Sequence, residues 1–275
     1  MKTLVPIALV AAILGQAAPS LAYHDEESPS TDNTPYTLDD NEWRVGLWKL
    51  EYGSPFGGDL QLGTWTVYWA PWIVGARLFN ANAKYQLWAS DRTSFAAGLG
   101  LFYLDLEDLA ETPVTMTVVP FDLYAAHRMN SWLTVGARFN VTSANIDGTY
   151  NPDDISQLQG ALAGSSAQLG LSAIWRMSRV TSFELEWRTG RYLEVIGQGI
   201  FTTEINDQTE VTVFGEGNAD FNDKNLTSIA GRFHLSWKHV NLRLGMVFGN
   251  YTIAGVNFIV PERIPFPEFD LFVRF

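Results

Sequence analysis

The sequence predicts an all-β protein, an antiparallel up-and-down transmembrane β-barrel of about twelve strands, on three observations. From Glu42 to the end, segments of about 8–14 residues alternate polar and apolar side chains, the period of a strand with two unlike faces. Only 17% of the 275 residues are charged, against about a quarter in a soluble protein, and 10 Trp, 10 Tyr, 17 Phe and 23 Gly are present instead. The chain closes on EFDLFVRF, where Phe269, Leu271, Val273 and Phe275 alternate with Glu268, Asp270, Phe272 and Arg274. A chain end with four large apolar side chains on one face frays in water. A strand that closes a barrel in lipid has a neighbour on each edge.

This closing stretch resembles the C-terminal signature strand of Gram-negative outer-membrane proteins, which ends in Phe with apolar residues at alternate positions before it. The resemblance implies a transporter- or porin-like barrel in the Gram-negative outer membrane. It also implies partners: outer-membrane lipids and lipopolysaccharide around the wall, and the insertion machinery that reads the C-terminal strand. LEYGSPFGGDLQLGT resembles the strand–turn–strand of transporter-like barrels over a short span.

The N-terminus gives an independent sign of export. Lys2, the apolar run Leu4–Leu14 and the small residues Ser20 and Ala22 form a signal peptide over residues 1–22, cleaved near Ala22. No Cys follows the cut, which excludes a lipoprotein, and no later run of about 18 apolar residues predicts a spanning helix. Residues 23–41 are acidic, Pro-containing and aperiodic. They are expected to be a flexible segment on the periplasmic side or just inside the lumen, before a barrel over 42–275.

Eleven strands are legible. They are Trp43–Tyr52, Leu60–Trp69, Phe79–Leu87, Ser94–Leu106, Val114–His127, Trp132–Asn145, Ser166–Met177, Thr181–Val195, Leu226–Lys238, Asn241–Ile253 and Glu268–Phe275. An even number is expected, and Thr34–Asp40 is a candidate twelfth. Pro120 removes a ladder donor and predicts a bulge or phase shift. Residues 146–164 and the proline-rich 260–267 are expected to be loops, and 196–225 to hold a hairpin around Asn206 and Asp207. Short turns alternate with these long connections, as periplasmic turns alternate with extracellular loops.

Charged residues on the polar faces are the functional candidates: Arg138, Arg176, Glu184, Glu186, Arg188, Arg232, His234, Arg243 and Arg274. They either fill a narrow lumen with ion pairs or set the field of a pore that selects solutes by charge. A passive channel for small solutes is the leading expectation. The alternative is a structural or adhesive barrel with a plugged lumen and surface-exposed acidic loops. His234 and Ser236, two residues apart on one strand face, resemble the His/Ser pair of outer-membrane phospholipases and lipid A deacylases, which implies a lipid hydrolase as a third reading. The chain departs from that pattern, because its pair lies on the polar face and Trp237 follows Ser236. No enzyme is expected, and no catalytic residue is assigned. His24, His127, His234 and His239 lack metal-ligand spacing, and GEGNADFND lacks the Gly and Glu of a calcium loop. Neither a metal nor another cofactor is expected, and a net charge of −12 argues against nucleic acid.

Overall fold

The two-residue periodicity becomes thirteen antiparallel strands in the computed structural model. It describes residues 32–55, 60–66, 77–105, 114–153, 156–206, 209–218, 226–237, 239–252 and 259–275. The strands are β1 (Trp43–Gly46), β2 (Lys49–Ser54), β3 (Leu60–Trp65), β4 (Arg77–Ala89), β5 (Thr93–Asp105), β6 (Val114–Asn130) and β7 (Leu133–Asp153). After them come β8 (Ser156–Arg176), β9 (Thr181–Asn206), β10 (Thr209–Asn218), β11 (Leu226–Ser236), β12 (Val240–Thr252) and β13 (Ile259–Arg274). β10 and β11 take successive stretches of one edge of β9, and β13 pairs with β1, so twelve strands close the ring. The expected signal peptide and residues 23–31 lie outside the described residues.

The twelfth strand does not come from Thr34–Asp40. It arises because Trp43–Tyr52, expected as one strand, folds back at Leu47 and Trp48 into β1 and β2. Gly46 leads into that turn, but neither residue at its tip, Leu47 or Trp48, is a turn former. Leu47 N donates to Leu271 O at 3.0 Å and the Trp48 indole donates to Phe269 O, so contacts with β13 set it.

Three other expectations are corrected. Residues 146–164 are not a loop, because β7 and β8 stay paired from Ile146↔Leu162 out to Asp153↔Ser156. Pro120 causes neither bulge nor phase shift, since the β5–β6 register is the same at Leu99↔Phe121 and Phe102↔Val118. The proline ring instead fills the space over Gly100, whose missing Cβ would lie 2.7 Å from Pro120 Cγ. The stretch 260–267 belongs to β13. Its odd-numbered residues turn their backbone groups toward β1, as the bonds to Phe269 O, Leu271 O and Phe275 N show. Pro265 and Pro267 are in that phase, so neither removes a donor from the β12–β13 ladder. The expected hairpin after residue 196 is present as the top of β9 with β10.

The two faces are inverted relative to a soluble barrel. Phe79, Leu99, Phe121, Leu171, Ile229, Phe248 and Phe269 are exposed outside, whereas Asn80, Asp122, Asn140, Glu184, Ser228, Arg232 and Asp270 are buried inside. The short turns 90–92, 131–132 and 177–180 lie at the end that carries the C-terminus, here called the lower rim. Trp43, Trp88, Trp132, Trp175 and Trp237 stand at the strand ends there, where an interfacial aromatic girdle belongs.

Before β1 the chain turns through Asp39–Glu42, with Glu42 N on Asp39 O at 3.0 Å and Asn41 at φ 64°. Asn is a residue that tolerates this left-handed geometry. The turn directs residues 32–41 into the barrel, where Gly53 receives them. A Cβ on Gly53 would sit 1.9 Å from Asp39 O. Gly53→Ala should therefore push the segment off the wall without touching an ion pair. The expected loss is about 1–3 kcal/mol, seen as a lower temperature at which the folded form's fast gel migration disappears.

Candidate functional site

The lumen is built by cross-strand register. Glu184, Arg232, Gly245 and Glu268 are successive ladder partners across β9, β11, β12 and β13, and all face inward. Gly245 is the reason the row works. A Cβ there would meet Arg232 Cγ at 2.8 Å, so its absence lets the guanidinium cross β12 to reach Glu268. On its other side Arg232 Nη1 lies 3.2 Å from Glu184 and also bonds Glu186. Arg188 closes on Glu186 in a two-bond fork at 2.6 Å, and His234 Nε2 lies 3.0 Å from the second oxygen of Glu184. Arg232 is 0% exposed and Glu184 1%, so charges of both signs are desolvated together.

A second centre forms around Asp32, which belongs to no strand. Its carboxylate accepts from Arg44 of β1 at 2.8 Å, Lys49 of β2 at 2.8 Å and Arg243 of β12 at 2.9 Å. Arg44 also bonds Glu51 at 3.0 Å and Asp270 at 2.7 Å, and its guanidinium lies 3.9 Å from the Phe272 ring centroid. Burial pushes the Asp32 carboxyl up. The fields of Arg44, Lys49 and Arg243 outweigh burial and hold it well below the usual carboxylate range.

The following residues carry the chain across the lumen. Asn33 Nδ2 reaches Glu184 at 3.3 Å, and its carbonyl oxygen accepts from Arg138 at 3.5 Å. Arg138 is itself fixed by Asp122 at 2.8 Å. Lys84 of β4 donates to the carbonyls of Thr34 and Tyr36, and Leu38 N donates to Gln61 of β3 at 3.1 Å. Thr34, Pro35 and Leu38 are consequently buried. Residues 32–38 thus occupy the lumen, and Asp39–Asn41 form the exposed turn at its lower rim.

Of the residues expected from sequence, Arg138, Glu184, Glu186, Arg188, Arg232, His234 and Arg243 join one network bridged by Asp32 and Asn33. Arg274 stands apart at the lower rim, forked onto Glu42 at 2.8 Å. Arg176 lines an outward groove with Trp132, Trp175, Met177, Phe183 and Phe233. His234 and Ser236 are both buried on the lumenal face. Sequence reasoning missed Asp32, Asn33, Arg44, Lys49, Glu51, Lys84, Asp122, Glu268 and Asp270. Glu268 and Asp270 were legible as the polar positions of the closing strand. Asp32 and Asn33 had no periodic signal at all.

The chain matches no protein-family model, and no curated protein matches it. Among solved structures it is similar to the translocator domain of the autotransporter NalP from Neisseria meningitidis, with 10% identity, 85% of each chain covered and a TM-score of 0.36. It is also similar to the CymD monoaromatic hydrocarbon channel, with the same three values. The ferric yersiniabactin uptake receptor FyuA from Yersinia pestis gives 9% identity and a TM-score of 0.40, covering 85% of this chain and 43% of that one. At such identities this chain's own residues decide its chemistry.

Removing Arg232 would take the cation shared by buried Glu184 and Glu186 and half-buried Glu268, leaving them only Arg188, His234 and the more distant Arg243. Arg232→Ala is therefore expected to cost about 3–5 kcal/mol, measured by urea unfolding of the refolded barrel. Arg274→Ala, at the rim, should cost much less.

Proposed function

We propose that this chain is a Gram-negative outer-membrane β-barrel, a passive channel for small solutes whose lumen is closed by its own N-terminal segment. Several features support the membrane reading: the apolar outer wall, tryptophans at the lower strand ends, and the alternating closing strand and exported N-terminus of the sequence. Outer-membrane lipids and lipopolysaccharide would surround the wall, and the insertion machinery would engage β13.

The channel reading rests above all on Asp32. One carboxylate of a non-strand segment is gripped by cations from β1, β2 and β12, which makes it a latch that can be withdrawn without unpairing a strand. With it in place, most lumenal charges already have partners of opposite sign. With it withdrawn, Arg44, Lys49 and Arg243 lose a shared counterion and bias the path toward anions. The same ion-paired lumen also suits a structural barrel that never opens.

Single-channel recording in a planar bilayer separates the two. The mature chain should be mostly silent at neutral pH. Asp32→Ala should give discrete steps with an anion preference, and a folded chain lacking residues 23–38 should give larger ones. If that truncated barrel is silent too, the lumen is closed by its wall lattice and the structural reading replaces the channel.

The latch also sets a pH dependence. Because Asp32 is held below its ordinary value, its stabilisation is complete above the unfolded pKa of about 3.9 and lost as pH falls through the folded value. Conductance should therefore stay low from pH 8 to about 4 and rise only in more acidic solution. Asp32→Ala should abolish that rise.

A further inference from the structure

Asp32 is held as a ligand is held. It precedes β1 and belongs to no strand, yet three cations from three strands converge on its carboxylate. Oδ1 accepts from Arg44 Nη1 at 2.8 Å and from Lys49 Nζ at 2.8 Å. Oδ2 accepts from Arg44 Nη2 at 3.1 Å and from Arg243 Nη1 at 2.9 Å. Four such donors are enough to fill the lone pairs of a carboxylate. The Arg44 pair is the two-bond fork that matches the plane of a carboxylate, a geometry that a spherical halide cannot use.

The wall positions these donors by itself. Glu51, the ladder partner of Arg44 on β2, takes Arg44 Nη1 at 3.0 Å, and Asp270 of β13 takes Nη2 at 2.7 Å. The two acids grip the guanidinium and the Phe272 ring lies against it, so Arg44 is fixed whether or not Asp32 is present. Lys49 is steadied by Glu51 at 3.6 Å and by the Trp65 ring, 4.4 Å from its Nζ, and Arg243 by Glu268 at 3.6 Å. Arg243 Nε is buried with no hydrogen-bond partner among the described residues, so Asp32 leaves part of the donor capacity unused. The Arg44 side chain is 1% exposed, whereas those of Lys49 and Arg243 are each 14% exposed, and a solute in the lumen reaches the cradle from their side.

We propose that Arg44, Lys49 and Arg243 form a binding site for the carboxylate of a small organic-acid solute, and that Asp32 fills it as a tethered stand-in. The site rests on the channel reading above and names its solute class. A free acid competes with Asp32 for the same three cations, so the solute releases the latch on its own path. A short tether gives an effective concentration in about the millimolar range, and free acid competes from that range upward.

Formate, a carboxylate without a tether, is the probe, and the full mature chain is the sample. Asp32→Gly removes the stand-in and leaves room for formate. This variant should lose its fast gel migration at a lower temperature than the unaltered chain. Formate should restore most of that loss, and chloride at equal ionic strength none of it. Adding Lys49→Gln to Asp32→Gly should weaken the rescue about tenfold. In a planar bilayer at neutral pH, formate in place of chloride should raise the open probability of the unaltered chain. Asp32→Asn, which keeps the shape of the stand-in without its charge, should respond to about tenfold less formate. Equal rescue by chloride, or a rescue indifferent to Lys49→Gln, would overturn the proposal. Should Asp32→Gly not fold, an Asp32→Asn response no more sensitive than that of the unaltered chain would overturn it as well. Rescue of stability with a silent bilayer keeps the site and removes the channel reading. Steps in Asp32→Ala, with no response to formate in any variant, keep the channel and remove the site.

Discussion

A guanidinium with no exposure to water, placed among three carboxylates, is the constraint on which the lumen of this barrel depends. Arg232 cannot be buried alone, and Glu184, Glu186 and Glu268 share it as their common counterion. Satisfying all of them requires four strands in one register and a glycine at position 245 for the side chain to cross. A slip of one residue in β11 would send Arg232 into the apolar exterior and bring Phe233 inside. The ion pairs are therefore worth more as a specification of strand alignment than as a source of net stability.

The outward and inward faces were legible from the alternation itself, as in Phe79-Asn80-Ala81 or Phe233-His234-Leu235, because a two-residue period has only two phases. Most of the wall cluster followed, since Glu184, Glu186, Arg188, Arg232, His234 and Arg243 all occupy polar phases of recognisable strands. The turn at Leu47 and Trp48 was not legible, because its backbone partners come from β13, more than two hundred residues away in the chain. The strand character of 260–267 was hidden by its prolines, which are harmless only because their nitrogens face away from β12. Neither fact is local. The lumenal course of residues 32–38 was hidden for a related reason. An acidic, aperiodic stretch reads as solvated until the cations of β1, β2, β4, β7 and β12 are gathered around it.

Occupancy of the lumen and exposure of the wall follow from one arrangement of charge. Cations on the inner face find carboxylates within the barrel, so the interior approaches neutrality and tolerates burial. Acidic residues concentrate in the hairpins at the end opposite the lower rim. The barrel is thus polarised along its axis while being balanced across it.

β1 meets β13 through Arg44↔Arg274, Val45↔Val273 and Gly46↔Phe272, with flanking backbone bonds between Trp43 and Phe275 and from Leu47 to Leu271, a far shorter ladder than any that joins the longer strands. The place where the cylinder is sewn shut is one of its two thinnest seams, the β1–β2 ladder being as short. Asp32 spans that seam, since Arg44 and Lys49 lie on one side of it and Arg243 on the other, and Arg44 crosses it again to Asp270. The segment that fills the bore therefore also acts as a rivet for the hoop. Its departure would loosen the wall at the same point at which it empties the interior, so stiffness and closure rise and fall together.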